Sequence, residues 1–340
     1  MSAIDRFFLD NEIRRGCAVR ACCVRFLWGG AGNRLVVWLM LWSMVLMVCM
    51  SVWAADQPDK APAVRCYVSI LPQEFFVARI GGPHVIVDVL VGPGQEPHTF
   101  ELTPKAMTSL AQADLFFTLG LPFEQVIVKK LARTNHKVKI IDTTRGVTFL
   151  EFRDEDAHDH HHAHKGDAKE SAKDPHIWLD PSLVKIQAAN IAQALATQDP
   201  AHVNDYQANL TAFQRELDEL DAELVAALKP YKGQKFYVYH PAFGYFAARY
   251  GLLQAPVEVG GKEPTAKQIA QLIKSAKENG IKIIFVEPQF STKGAEIIAK
   301  AIGGTIVPID PLSKDYLNNM RAIGAAIRGA LPPADNASTK

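Results

Sequence analysis

Short β-rich runs alternate with helix-like runs twice along this chain of 340 residues. Each half contains four predicted strands separated by helical segments, which is the pattern of βαβ units. The eight predicted strands are Val64–Leu71, Val85–Val91, Asp114–Leu119, Val138–Asp142, Lys235–Tyr239, Ala255–Val259, Lys282–Glu287 and Thr305–Ile309. The sequence therefore predicts an α/β protein of two lobes, each a four-stranded, mainly parallel sheet flanked by helices.

One long helix is predicted between the two halves. Its apolar residues recur at steps of three and four, the spacing of a single helix face. They are Tyr206, Leu210, Phe213, Leu217, Leu220, Leu224 and Leu228. At about 1.5 Å per residue, such a helix spans roughly 40 Å and can run behind both lobes as a rigid connector. An ordinary packed helix of the second lobe is the alternative, which periodicity alone leaves open.

The first 54 residues differ from the rest of the chain. An uncharged apolar run, Leu35–Met50, follows Arg34, and small residues lead up to Ala54. This pattern predicts a secretory signal cleaved after Ala54, and hence a periplasmic protein. A retained membrane anchor is the alternative, although an anchor usually needs nearer ~20 apolar residues. Of five cysteines, only Cys66 lies beyond this region, so we expect no internal disulfide.

The remaining chain divides into four predicted regions. We expect an N-terminal lobe over 55–182, a linking region with the long helix over 183–232, a C-terminal lobe over 233–330 and a frayed tail over 331–340. A hydrophobic content of 48% is too high for a mostly disordered protein. A net charge of +1 gives no case for nucleic-acid binding, which usually needs a basic face. We expect the chain to act as a monomer.

A histidine-rich, acidic segment occupies residues 152–173 and shows no strand or helix pattern. Neutral imidazoles interleaved with carboxylates suit borderline metals such as Zn²⁺, Cu²⁺ and Ni²⁺. Five histidines fall within seven positions, namely His158, His160, His161, His162 and His164. The segment predicts weak auxiliary metal capture, whereas a solvated tract without function is the alternative.

Three isolated histidines and one aspartate are the candidate ligands of the main site. His98 and His176 lie in loops of the first lobe, and His240 directly follows a predicted strand of the second, each with a proline close by. Asp310 ends the last predicted strand. Open α/β sheets bind ligands at such strand ends. Three imidazoles and a carboxylate form a ligand set that favours Zn²⁺, so we predict a zinc site between the lobes.

Several motifs resemble those of the zinc/manganese substrate-binding proteins of ABC transporters. The resemblance covers roughly residues 64–330, and the motifs occur in the family's order. They are Pro97–Pro104, Asp174–Pro181, His240–Gly251, Phe285–Gln289 and Ile309–Leu312. The resemblance implies two α/β lobes joined by one long helix, with a metal between them that is delivered to a membrane permease.

The resemblance also bears on which metal is bound. Manganese binders of this family generally carry Glu at the position of His240, and a histidine-rich loop before the second motif is typical of the zinc branch. Asp310 matches the family's usual fourth ligand. Some zinc members carry a disulfide in the second lobe, and this chain has no cysteine there.

Together, these observations predict an exported protein that captures Zn²⁺ and delivers it to an ABC permease of the cytoplasmic membrane. We expect Asp174, Asp180 or Glu101 to orient the ligand imidazoles. A manganese or iron carrier of the same fold is one alternative. A zinc hydrolase or lyase is another, because three histidines with an open fourth position can activate water. No obvious general base accompanies the histidines, so we do not expect an enzyme.

Overall fold

The computed structural model describes residues 63–133, 137–151, 173–258 and 263–333. The predicted signal segment, almost all of the histidine-rich segment and the end of the tail lie outside the described residues. The first lobe consists of β1 (Val64–Val68), α1 (Leu71–Gly81), β2 (Val85–Val89), α2 (Pro104–Ala111), β3 (Leu115–Thr118), α3 (Pro122–Arg133) and β4 (Lys139–Asp142).

Two helices lead from the first lobe to the second, α4 (Pro181–Gln198) and α5 (Val203–Leu228). A short 3-10 helix, Ile177–Leu179, precedes α4. The second lobe consists of β5 (Lys235–Val238), α6 (Gly244–Tyr250), β6 (Leu253–Pro256), α7 (Ala266–Glu278), β7 (Ile283–Val286), α8 (Lys293–Ile302), β8 (Thr305–Pro308) and α9 (Tyr316–Ala330).

The two sheets have the same topology. The strand order is β2-β1-β3-β4 in the first lobe and β6-β5-β7-β8 in the second, and every pair is parallel. The predicted fold class is confirmed. In each sheet the chain first connects to the strand on one side of the starting strand, β1 or β5, and then crosses to the other side. Open α/β sheets form a ligand crevice at such a point, beyond the carboxyl ends of the strands.

Local sequence explains where several elements begin. All four residues of β3 are buried, as expected for a parallel strand covered on both faces. The Thr103 side chain accepts a hydrogen bond from the first turn of α2, and Asp180 does the same for α4. Thr265 and Gln268 form a capping box at the start of α7. These caps fix the directions in which the helices leave the strand ends.

The long helix α5 has 26 residues, and all seven residues of its predicted apolar stripe are buried. It packs against α1 and α4 on the side of the first lobe and against α9 on the side of the second. One continuous core contains residues of both lobes together with the stripe, for example Phe76, Phe213 and Tyr316. The helix is therefore a connector with both lobes packed on it.

Acidic side chains on α5 pair with basic side chains on four other helices. These helices are α1 and α4 next to the first sheet and α6 and α9 next to the second. The pairs are Glu216–Arg79, Asp218–Lys185, Asp221–Arg249 and Glu223–Arg321. Each partly exposed pair contributes at most about 1 kcal/mol, but together they fix the helices on both sides of α5.

The lobes also touch directly near the crevice. The indole Nε1 of Trp178 donates to the carbonyl oxygen of Pro311 at 2.8 Å, and the Tyr316 hydroxyl donates to the carbonyl oxygen of Trp178 at 2.8 Å. Both lobes belong to one compact unit. Across the described ranges, none of the helices combines the length and the apolar character that a membrane crossing needs.

Candidate metal centre

Three imidazoles from both lobes converge in the crevice. His98 lies in the loop after β2, His176 just before the 3-10 helix Ile177–Leu179, and His240 two residues after β5. One ring nitrogen of each lies within 4.8 Å of one nitrogen of each of the others. The Nε2 atoms of His176 and His240 are 3.3 Å apart. Three nitrogens at these separations can bind one metal ion.

Two of the imidazoles are oriented by buried carboxylates. Nδ1 of His176 lies 2.7 Å from Oδ1 of Asp174, and Nδ1 of His240 lies 2.7 Å from Oε1 of Glu258. Because the carboxylates accept hydrogen bonds from the Nδ1–H groups, the Nε2 lone pairs of His176 and His240 remain free and face each other. This carboxylate–histidine arrangement is the usual one around bound zinc.

The site favours neutral imidazoles. The pKa of His98 is lowered to about 3, mainly by burial of the ring and further by its proximity to His176 and His240, although the residue as a whole is exposed at the rim. Burial also lowers the pKa of His240, against the opposing effect of Glu258. Neutral imidazole is the form that coordinates a metal.

Asp310 lies outside the group of three converging histidines. Its Oδ1 accepts hydrogen bonds from Nε2 of Gln289 at 2.8 Å and from the backbone N–H of Leu312 at 2.9 Å. It is close enough to the buried Glu287 to raise the pKa of that acid. The structure thus places Asp310 beside the site but bonded to its own lobe.

The three acids predicted to orient the imidazoles lie in different environments. Asp174 contacts His176 through its carboxylate, as described above. Asp180 instead accepts hydrogen bonds from the backbone N–H and the hydroxyl of Ser182 at the start of α4. Glu101 is exposed on the loop after His98. Within the described part of the chain, neither Asp180 nor Glu101 hydrogen-bonds one of the three imidazoles.

Two buried glutamates beside His240 were not predicted from the sequence. Glu258 holds the imidazole, and Oε2 of Glu287 lies 3.2 Å from the backbone nitrogen of His240, which donates to it. Burial raises the pKa of Glu287 well above its usual range and so favours the neutral form of the acid. Both residues follow the ends of strands, β6 and β7, and this position at the carboxyl edge is the signal that could have identified them.

A cavity of about 570 Å³ adjoins the site on the side of the first lobe. It lies between the loop that carries His98 and helix α3, and Phe100 and Phe123 contribute to its wall. The two aromatic rings pack edge to face with centroids 5.1 Å apart. His98 therefore stands between the buried pair of imidazoles and an open space.

This arrangement is suited to binding a metal ion. Three imidazole nitrogen donors and nearby carboxylates match the ligand preferences of Zn²⁺. Ligands from two lobes give a site that depends on both lobes. The histidine-rich segment, with His158, His160, His161, His162 and His164, lies outside the described residues.

Comparison with known proteins agrees with this description. Residues 66–330 match the ZnuA family, described as zinc-uptake complex component A, periplasmic. The zinc-binding protein AdcA of Streptococcus pyogenes serotype M3 is 32% identical over 300 residues, which cover 83% of this chain and 58% of AdcA. The chain thus spans little more than half the length of that relative.

Two further proteins are similar over most of their length. The high-affinity zinc uptake system protein ZnuA of Bacillus subtilis is 30% identical over 265 residues, covering 76% of this chain and 82% of that protein. The crystal structure of a ZnuA deletion mutant with zinc bound has a TM-score of 0.71 and 42% identity, covering 80% of this chain and all of that one. Since the family match extends over most of the sequence, the chain belongs to the ZnuA family of periplasmic zinc-uptake components.

Proposed function

We propose that this protein captures Zn²⁺ outside the cytoplasm and delivers it to an ABC permease of the cytoplasmic membrane. The observation that carries the proposal is the convergence of His98, His176 and His240 from two lobes within 4.8 Å of one another. Membership of the family makes the chain a transport component rather than an enzyme. The alternative of a zinc hydrolase or lyase is therefore set aside.

The donor set supports zinc as the cargo. Imidazole nitrogens suit Zn²⁺, whereas Mg²⁺ and Ca²⁺ prefer oxygen ligands. A site with more carboxylate ligands than this one would favour Mn²⁺. The carboxylates nearest the imidazoles, Asp174 and Glu258, face the Nδ1 atoms and not the shared Nε2 side. The atoms that face the ion are thus nitrogens, and the two carboxylates hydrogen-bond the opposite side of the His176 and His240 rings.

We propose Asp310 as the fourth ligand. Its carboxylate is close enough to Glu287 to raise the pKa of that acid, and one and the same oxygen carries the hydrogen bonds from Gln289 and Leu312. A divalent cation held by three imidazoles attracts a nearby carboxylate strongly. Asp310 would then neutralise part of the charge of the ion and add a second ligand from the second lobe.

The remaining parts of the chain have supporting roles in this proposal. The histidine-rich segment raises the local concentration of Zn²⁺, and the two lobes with their linking helix form a monomeric carrier. The segment over residues 1–54 directs export. Contact with the permease triggers release of the ion.

The proposal is tested by metal analysis of protein purified without added metal or affinity tag, combined with a competition titration of Zn²⁺ against Mn²⁺. We expect one tightly bound zinc ion per chain and a preference for zinc over manganese of orders of magnitude. Tighter binding of manganese or iron would instead identify a carrier of another metal. Absence of tight stoichiometric binding of any metal would contradict the proposal.

A further inference from the structure

The second lobe orients a histidine of the first lobe. Oδ1 of Asp174 accepts hydrogen bonds from the backbone nitrogen of His176 at 2.9 Å and from its Nδ1 at 2.7 Å. The side chain of Asp174 therefore determines both the position and the tautomer of that imidazole. Two residues of the second lobe, Gly244 and Tyr245, contact Asp174 itself.

Tyr245, at the start of α6, holds the backbone of Asp174. Its hydroxyl donates to the carbonyl oxygen of Asp174 at 2.8 Å and accepts from the backbone N–H of Leu150 at 2.9 Å. The backbone nitrogen of Asp174 donates to the carbonyl oxygen of Leu150 at 2.9 Å. Tyr245 and Asp174 are both about 3% exposed, and burial raises the pKa of Tyr245 to about 12, so the hydroxyl keeps its proton. The Tyr245 hydroxyl is thus hydrogen-bonded to both of the paired chain segments, at Leu150 and at Asp174.

Gly244 gives the Asp174 carboxylate room to lie against α6. A Cβ atom at position 244 would be only 2.6 Å from Oδ2 of Asp174, which is closer than such atoms approach in proteins. The carboxylate therefore packs directly on the backbone of the second lobe. Oδ1 is bonded to His176, so displacement of Oδ2 would also turn the atom that holds the imidazole.

We propose that Gly244 and Tyr245 are positioning residues for the zinc ligand His176, acting through Asp174. His240 lies four residues before Gly244, so one short segment of the second lobe supplies one ligand and orients another from the opposite lobe. The inference rests on the proposed zinc binding and extends it. A consequence is that separating the lobes removes the support of His176 at the same time as it separates the ligands.

The first test is Tyr245→Phe, which removes the hydroxyl and keeps the ring. Loss of a residue that supports a ligand typically weakens metal binding by about 10- to 100-fold, and we expect the lower end, roughly tenfold, because Tyr245 acts through Asp174. Zinc affinity is measured by competition with a chromogenic chelator. Tyr237→Phe is the matched control, because Tyr237 is equally buried in the same lobe and its hydroxyl is bonded to Ser275, away from the site.

The second test is Gly244→Ala, in which the hydroxyl of Tyr245 is retained. Alanine favours a helix more than glycine does, so we expect no loss of thermal stability from the helix itself. We nevertheless expect a severalfold loss of zinc affinity, because the added methyl group displaces the Asp174 carboxylate. A change in the visible absorption spectrum of bound Co²⁺ would report the altered geometry of the ligands.

A double-mutant cycle separates positioning from a general structural effect. In an Asp174→Ala background, Tyr245→Phe should reduce zinc affinity much less than in the wild type, because the side chain through which it acts is absent. Equal losses in both backgrounds, or unchanged affinity in both Tyr245→Phe and Gly244→Ala, would overturn the inference. Wild-type protein is titrated in parallel, so failure of the wild type to bind zinc would instead count against the proposed function.

Discussion

A buried glutamate at the carboxyl edge of the first sheet, Glu124, and one at the edge of the second, Glu287, are bonded very differently. Glu124 in the first lobe accepts hydrogen bonds from the Ser69 hydroxyl and from the backbone N–H groups of Leu119, Gly120 and Leu121, the last three at 2.7 to 3.0 Å. We refer to these groups as the Glu124 cluster. Glu287 in the second lobe accepts one long bond from the His240 backbone, and among the described residues its Oε1 has no hydrogen-bond partner.

We interpret Glu124 as a side chain that stabilises the fold and Glu287 as one that serves the metal site. Buried polar groups in proteins are almost always hydrogen-bonded, and an exception calls for a functional explanation. Glu124 satisfies the rule by joining the loops after β1 and β3 to the start of α3. Glu287 is an exception to this rule, and it lies where a bound divalent cation would compensate for the missing hydrogen-bond donor at its Oε1.

The largest expected effect comes from removing the ligand of the second lobe. His240→Ala should weaken zinc binding by more than about 100-fold, which exceeds the typical effect of losing a supporting residue. Equilibrium competition with a chelator measures the change. His202→Ala is a suitable control, because His202 is bonded to Asp199 near the start of α5. Undiminished tight binding by His240→Ala would show that the three imidazoles do not form the site.

Glu124→Gln should affect stability and leave zinc affinity nearly unchanged. A glutamine offers one acceptor oxygen and places an NH₂ group against backbone N–H donors, so a buried bond is lost. We expect the free energy of unfolding to fall by about 1–3 kcal/mol, measured by urea denaturation of the metal-free protein. A large loss of zinc affinity together with unchanged stability would reverse the roles that we assign to the two glutamates.

Glu287→Gln should show the opposite behaviour. Burial raises the pKa of Glu287 and favours its neutral form, and the amide is a neutral group of the same size, so stability should change little. Bound Zn²⁺ lowers the pKa of a nearby acid, and glutamine cannot ionise to compensate the charge. We expect zinc affinity to fall roughly tenfold. Equal affinity in the variant and the wild type would show that Glu287 has no part in binding.

Acidification should affect the histidines of the metal site and the Glu124 cluster with opposite signs. Below about pH 6.5, the unfolded chain binds protons that native His98 and His240 do not, because their pKa values are lowered, so the metal-free protein loses stability as the pH falls. Burial raises the pKa of Glu124 to about 7, so the native state binds a proton that the unfolded state loses above about pH 4.3.

The Glu124 contribution therefore decreases as the pH rises towards 7 and partly offsets the histidines between about pH 4.3 and 6.5. Glu124→Gln removes this offset, so its free energy of unfolding should fall more steeply on acidification than that of the wild type. Denaturant titrations of both metal-free proteins from pH 7 to 4.5 provide the measurement. Parallel curves would indicate that Glu124 titrates normally.

The smallest effect on the tight site is expected from shortening the histidine-rich segment. Deletion of Asp154–Lys165 removes all five clustered histidines but none of the three converging ones. One tight zinc ion per chain should remain, and only weaker additional binding should disappear in an isothermal titration. Loss of the tight ion would mean that the two lobes do not form a complete site by themselves.

The sequence was sufficient to predict the two sheets, the long helix and the three histidines. These features depend on alternation, helical periodicity and strand ends, all of which are local patterns. The ends of strands were less predictable. Predicted strands extended through Glu258 and Glu287, whereas β6 ends at Pro256 and β7 at Val286.

A strand ends where its hydrogen-bonded neighbour ends, and a single segment carries no information about its neighbour. Both glutamates therefore lie just beyond the sheet, where their side chains can reach His240. The contacts of Asp310 were unpredictable for a similar reason, because Gln289, its partner, belongs to a different strand connection. Pairing across the fold, more than local pattern, decides which acids reach the metal site.

The charge pairs along α5 have a consequence for how the ion is exchanged. A wide separation of the lobes would require one of them to leave α5, which would break pairs such as Glu216–Arg79 on one side or Glu223–Arg321 on the other and expose part of the apolar stripe to water. We therefore expect exchange to involve short stretches around the crevice, above all the loop that bears His98, the exposed member of the three histidines. Crystal structures of the loaded and empty forms should superimpose on α5 and both sheets, and their differences should be concentrated near that loop.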